Sequence, residues 1–165
     1  WLTLALDRTH VDARYNLGSM YLNQGETLQA IDQFRRVIQH NPNHLAAHLN
    51  LGVALMRMNE VDVAIEVYEA AIALKPDEPQ TYNNLGNAYS AKGDIQRAVK
   101  QYHKALELRP DYAKARFNLA LQMANLGPMK PAVEQLQRAR ADAVTQNNQA
   151  LVRAIDETLT SWMSR

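Results

Sequence analysis

Four asparagines, Asn16, Asn50, Asn84 and Asn118, recur at intervals of 34 residues. A carboxamide carries a donor and an acceptor together, which is what an extended peptide backbone presents at each residue. Asparagine is a mediocre helix former, so helix propensity does not account for four of them in register. Two readings of the ladder stand side by side. The amides recognise a bound peptide, at about 1 kcal/mol net per bond, or they bond a neighbouring helix and hold a stack of repeats together. Three histidines also have suggestive spacing. His44 and His48 lie four apart and His40 lies four before them, the interval of metal ligands on one helix. Pro42 separates His40 from His44, so no continuous helix carries all three, and no metal is expected. Asp62, Glu66 and Glu69 belong to the outer face of one helix and read as a solvated surface. No glycine-rich phosphate loop, nucleophile elbow or His-Glu-x-x-His occurs. The absence of cysteine excludes disulfides, thiolate zinc sites and cysteine nucleophiles. The reading is therefore of a protein that is not an enzyme and needs no cofactor.

The elements that position the asparagines follow from the same period. With position 1 at Val11, Leu45, Pro79 and Ala113, position 7 is leucine and position 20 is alanine in all four units. Position 8 is Gly18, Gly52, Gly86 and Ala120. Small residues at 8 and 20 let the two helices of a hairpin approach closely. The bulky partners are Tyr21, Leu55, Tyr89 and Met123 at position 11, and Phe34, Tyr68, Tyr102 and Leu136 at position 24. Two apolar blocks per unit, each at three-to-four spacing, predict two helices. Between them Gly25, Asn59, Gly93 and Gly127 suit a left-handed cap, and Pro42, Pro76 and Pro110 stop the second helix. A fixed period of this length marks an array in which each unit buries its apolar face on the next.

The pattern resembles the tetratricopeptide repeat. Residues 79–112 carry its signature most fully, with Tyr82, Leu85, Gly86, Tyr89, Ala98, Tyr102, Ala105 and Pro110. The resemblance implies an all-α fold, a right-handed α-solenoid of helix-turn-helix hairpins whose first helices line a concave groove. It implies partner-binding positions at Tyr15, Asn16, Ser19, Leu49, Asn50, Val53, Asn83, Asn84, Asn87, Phe117, Asn118 and Leu121. The asparagine ladder is similar to that of the tetratricopeptide domain of O-GlcNAc transferase, although nothing here resembles a catalytic portion. Members that grip C-terminal carboxylates use bases at groove positions, and here Lys114 alone does not form such a clamp. The expected partner is a protein or peptide segment with apolar anchors and an unmodified backbone. Self-assembly into a homo-oligomer through a terminal helix, and service as the targeting domain of a larger enzyme, are the alternatives.

The register divides the chain into residues 1–10, a remnant of a preceding repeat ending in a loop; repeats at 11–44, 45–78 and 79–112; a degenerate fourth repeat at 113–146; and a C-terminal capping helix at 147–165. The fourth repeat departs from the others. Pro128 and Pro131 crowd its turn, its second helix is expected to start at Pro131, Arg140 replaces an aliphatic residue, and Val144 replaces proline. In the last segment Leu151, Ile155, Leu159 and Trp162 share one helical face. With 18 basic and 17 acidic residues, no nucleic-acid surface is expected from bulk charge. No apolar run approaches the roughly 20 residues of a membrane span, so direct insertion is not expected. Localisation is left undetermined, with the cytoplasm as default.

Overall fold

A computed structural model describes residues 2–127 and 129–164. Among these the fold is all-α: α1 (Leu2–Gln24), α2 (Thr27–His40), α3 (Leu45–Arg57), α4 (Val61–Leu74), α5 (Pro79–Ala91), α6 (Ile95–Leu108), α7 (Ala113–Leu126), α8 (Met129–Thr145) and α9 (Gln149–Met163). The helices fall into two compact units, residues 1–76 and 77–165. In the first, α1 pairs with α2, α3 pairs with α4, and α2 packs on α3. In the second, α5 pairs with α6 and α7 with α8, α6 packs on α7, and α9 packs on α8. Each unit is thus a stack of helical hairpins.

The close approach within each hairpin has a specific cause. A Cβ added to Gly18 would stand 2.8 Å from Phe34 Cε1, one on Gly52 2.3 Å from Tyr68 Cε1, and one on Gly86 2.6 Å from Tyr102 Cε1. Position 8 is therefore small because the ring at position 24 lies against it. In the fourth hairpin both partners change together, to Ala120 and Leu136, and both are fully buried. The alanines at position 20, Ala30, Ala64, Ala98 and Ala132, are likewise fully buried. At position 11, Leu55 and Tyr89 are buried, while Tyr21 and Met123 are half-buried.

Three hairpin turns share one closure. Gly25, Asn59 and Gly93 have φ of 82°, 62° and 83°, the left-handed region that an unbranched or absent side chain tolerates. The following N–H groups of Glu26, Glu60 and Asp94 each donate to the position 11 carbonyl at 2.9 Å, which satisfies an orphan carbonyl at the helix end. Asn147, at φ 53°, makes the same turn after α8, with Asn148 N–H donating to Ala143 O at 2.9 Å. Gly127 does not follow: its φ of 177° is extended. α8 begins at Met129 rather than Pro131, and Pro131 sits within the first turn, where its missing N–H has no intrahelical partner to lose. Pro128 lies outside the described residues.

The first helix also departs from expectation. A loop near residue 10 is absent, and α1 runs unbroken from Leu2 to Gln24. Arg8 occupies the register position at which Pro42, Pro76 and Pro110 stop the other helices, so nothing there interrupts the helical hydrogen bonds.

Candidate functional site

Two of the four asparagines at position 6, Asn50 and Asn118, bond to the preceding repeat. In the first unit, Asn50 Nδ2 donates to Tyr15 Oη at 3.2 Å and to Ser19 Oγ at 3.4 Å. In the second, Asn118 Nδ2 donates to Asn83 Oδ1 at 3.0 Å and to Asn87 Oδ1 at 2.9 Å. The acceptors stand at positions 5 and 9, one turn apart on the preceding first helix, so a single amide spans both. A carboxamide is planar, with its oxygen and nitrogen on opposite branches. Turning both N–H bonds into the stack therefore turns Oδ1 of Asn50 and Asn118 away from it.

The network in the second unit continues inward. Asn87 Oδ1 also accepts from the Tyr102 hydroxyl at 2.8 Å, while Asn87 itself is exposed. Burial pushes the Tyr102 hydroxyl above the ordinary tyrosine range, so it remains a proton donor. Asn83 Nδ2 donates to Asn84 Oδ1 at 3.4 Å. Asn84 Nδ2 is buried without a hydrogen-bond partner among the described residues. The acceptor roles of positions 5 and 9 escape the sequence, because tyrosine, serine and asparagine share only an oxygen there. A search for oxygen-bearing pairs one turn apart, ahead of each asparagine, would have found them.

The twelve candidate positions divide by exposure. Asn16 and Asn87 are exposed; Tyr15, Ser19, Asn50, Val53, Asn84, Phe117, Asn118 and Leu121 are half-buried. Leu49 and Asn83 are only 8% and 5% exposed, so both belong to the interior and drop out of any contact surface. Phe117 packs against the apolar cluster that receives α9. The Tyr15 ring lies against the His44 ring at a centroid distance of 4.9 Å.

Position 4 has a use that the sequence does not announce. His48 Nε2 meets Pro42 O at 2.9 Å, and Arg116 donates through its guanidinium to Pro110 O. In both, a polar tip at position 4 satisfies the carbonyl of the proline that ends the preceding repeat. Arg116 also binds Asp142 at 2.9 Å and Gln135 at 3.2 Å. The other two histidines serve locally as well. His44 Nδ1 caps α3 by accepting from Ala47 N–H at 3.2 Å, and His40 Nδ1 meets Arg36 O at 2.8 Å. Among the described residues no group of three or more histidine, aspartate or glutamate side chains is placed to hold a metal ion. Nor is any helix among them long and apolar enough to cross a membrane.

The C-terminal helix closes the second unit. Ile155 is fully buried in a cluster with Ala113, Ala120, Leu136, Ala139 and Ala143, and Leu151, Leu159 and Trp162 pack around it. Arg140, the departure at position 28, pairs with both oxygens of Asp156 on α9, at 2.5 and 3.1 Å. The residue that breaks the repeat pattern is thus the one that meets the closing helix. Its guanidinium holds the Asp156 carboxyl below the usual aspartate range.

Family models described as tetratricopeptide repeat match residues 15–79 and 79–112. No curated protein sequence is similar enough to register as a match. Among solved structures, MamA superposes with a TM-score of 0.76 at 24% identity, covering 88% of this chain and 85% of that one. An O-GlcNAc transferase of Thermobaculum terrenum gives 0.76 at 28% identity, over 82% of this chain and 26% of that one. The first tetratricopeptide domain of Spaghetti, bound to an HSP90 peptide, gives 0.69 at 25% identity, over 72% of this chain and 94% of that one. Repeat stacks of this kind present extended surfaces for protein–protein interaction, and in general they are scaffolds and not catalysts. With two consecutive family matches laid over hairpins of the expected geometry, the chain belongs to the tetratricopeptide repeat family.

Proposed function

We propose that this interaction scaffold takes an extended peptide segment of a partner protein on a face formed by the paired first helices within a unit, α5 and α7 in the second. The observation that carries the reading is the split use of the position 6 carboxamides. The N–H groups of Asn50 and Asn118 are spent between repeats, and the oxygens of these two face away. An outward carbonyl oxygen accepts a main-chain N–H, and it repels a carboxylate. Beside it, half-buried Val53 and Leu121 offer apolar anchors, and the Asn87 Nδ2 branch offers a donor. This composition suits an unmodified backbone with apolar side chains. The peptide-bound domain of Spaghetti is a fold neighbour that lends support. Self-assembly through the C-terminal helix is the weaker reading, because the apolar face of α9 is occupied by its own α7 and α8.

The affinity for one segment should be on the order of micromolar, since ordering a flexible peptide offsets much of the contact energy. The test is selection from a library of acetylated, amidated peptides, in which every terminal charge is blocked. The reading expects binders with apolar side chains and no requirement for a free carboxylate. Failure to select any would overturn it, as would a parallel unblocked library whose binders all require the free C-terminus.

A further inference from the structure

We infer that the Tyr102 hydroxyl is a positioning group for ligand recognition, fixing the Asn87 carboxamide so that the third and fourth repeats together present one outward donor and one outward acceptor. The inference rests on the peptide reading above and names how that face reads a backbone. Tyr102 is 1% exposed, with its ring against Gly86, so its hydroxyl reaches Asn87 from inside the hairpin. Two donors converge on Asn87 Oδ1: the Tyr102 hydroxyl at 2.8 Å and Asn118 Nδ2 at 2.9 Å. A flipped Asn87 would set its own N–H bonds against an O–H and an N–H, losing both hydrogen bonds and adding repulsion. The amide is held with Oδ1 inward and Nδ2 outward. Asn118 is held in the opposite sense, since its Nδ2 is spent on Asn83 and Asn87.

The result is a polar pair of fixed sense, with Asn87 Nδ2 donating and Asn118 Oδ1 accepting. Because the two side chains are bonded to each other, these outward atoms belong to adjoining amides. The matching ligand turns a main-chain carbonyl toward the third repeat and an N–H toward the fourth. The first repeat lacks this device: Phe34 stands at the register position of Tyr102, and Ser19 Oγ donates instead to Tyr15 O at 3.0 Å. In the second repeat Val53 occupies the register position of Asn87 and has no polar atom to orient.

The test uses the whole chain with Tyr102→Phe, which keeps the ring, and Asn87→Asp, which keeps the inward oxygen and replaces the outward N–H group with a second oxygen. The probe is one blocked peptide selected on the wild-type protein, measured also on the double variant. Tyr102→Phe should weaken the peptide about fivefold, the equivalent of one hydrogen bond, and Asn87→Asp about tenfold or more. In the Asn87→Asp background, where a symmetric carboxylate has no donor to orient, Tyr102→Phe should have no further effect. An equal loss from Tyr102→Phe in the wild-type and Asn87→Asp backgrounds would mark the hydroxyl as merely structural and overturn the inference, as would unchanged affinity. A ligand-free measurement keeps the two claims apart. In a nitrogen-15 spectrum, Tyr102→Phe should move the Asn87 side-chain amide signals and leave those of Asn16 in place. Unmoved Asn87 signals would overturn the positioning role on their own. Moved signals without any selected peptide would overturn the function and leave the geometry standing.

Discussion

Replacing Gly52 by alanine should be among the most damaging single-methyl additions in the chain, and Tyr68→Leu should rescue it. The new Cβ would lie 2.3, 2.5 and 2.9 Å from three atoms of the Tyr68 ring. Carbon atoms at rest sit about 3.5–4.0 Å apart, so the ring must retreat by more than about 1 Å. Tyr68 is 1% exposed and its neighbours Ala64 and Ala71 are fully buried, which leaves no room for that movement. Overpacking of this kind costs about 1–3 kcal/mol, and the severity of the clash places Gly52→Ala near 3. Tyr68→Leu alone leaves a void and should cost roughly 2 kcal/mol by the cavity rule. Simple addition would give about 5. The combination, however, recreates the pair that the fourth hairpin carries, Ala120 with Leu136. The double variant should therefore lose only about 2–3 kcal/mol, a coupling of about 2 kcal/mol, within the range seen for residues in contact. Urea unfolding followed by circular dichroism, with wild type and all three variants compared at common slope, measures it. Additivity within about 0.5 kcal/mol, or a harmless Gly52→Ala, would refute the assignment of position 8 to the ring at position 24.

Two further predictions follow from the hydrogen bonds. Asn118→Ala removes two bonds between repeats and should lower stability by roughly 1–2 kcal/mol. Asn16→Ala, at an exposed site, should stay within about 0.5 kcal/mol of wild type; equal losses in urea unfolding would contradict the stacking role. The docking of α9 should also depend on pH. Arg140 holds the Asp156 carboxyl below its ordinary value of 3.8, so the contribution of the pair is complete above that value and fades as pH falls through the lower, folded-state value. Trp162 fluorescence in a Trp1→Phe background should shift red over that acid range, and Asp156→Asn should abolish this part of the shift. An identical profile in Asp156→Asn would assign the effect elsewhere.

The fold was legible because its determinants are local and repeated. Glycine or alanine at position 8, alanine at 20, a turn residue at 15 and proline at 32 each restate one steric requirement, and comparison among the units exposes them. The exceptions have equally local causes. α1 continues through residue 10 because Arg8 lacks the ring that would stop it, and α8 starts before Pro131 because a first turn loses nothing to proline. The candidate site was legible in position but not in orientation. Periodicity located Asn50 and Asn118 and left open whether they hold a stack or face a ligand. Only side-chain geometry shows that the nitrogen does the first. Leu49, Asn83 and Phe117 were assigned to the surface by register, whereas their exposure is decided by neighbours that register does not describe. Arg140 looked like decay of the repeat until Asp156 supplied its partner.

The central claim, that a partner peptide lies along the first helices, is tested most directly by mapping chemical shifts on the labelled chain during titration with a selected blocked peptide. The account predicts that the largest changes in the second unit fall on Asn87, Asn118 and Leu121, with the Asn87 side-chain amide among them. Changes confined to the outer faces of the second helices, at residues such as Glu66, Lys100 and His103, would contradict it.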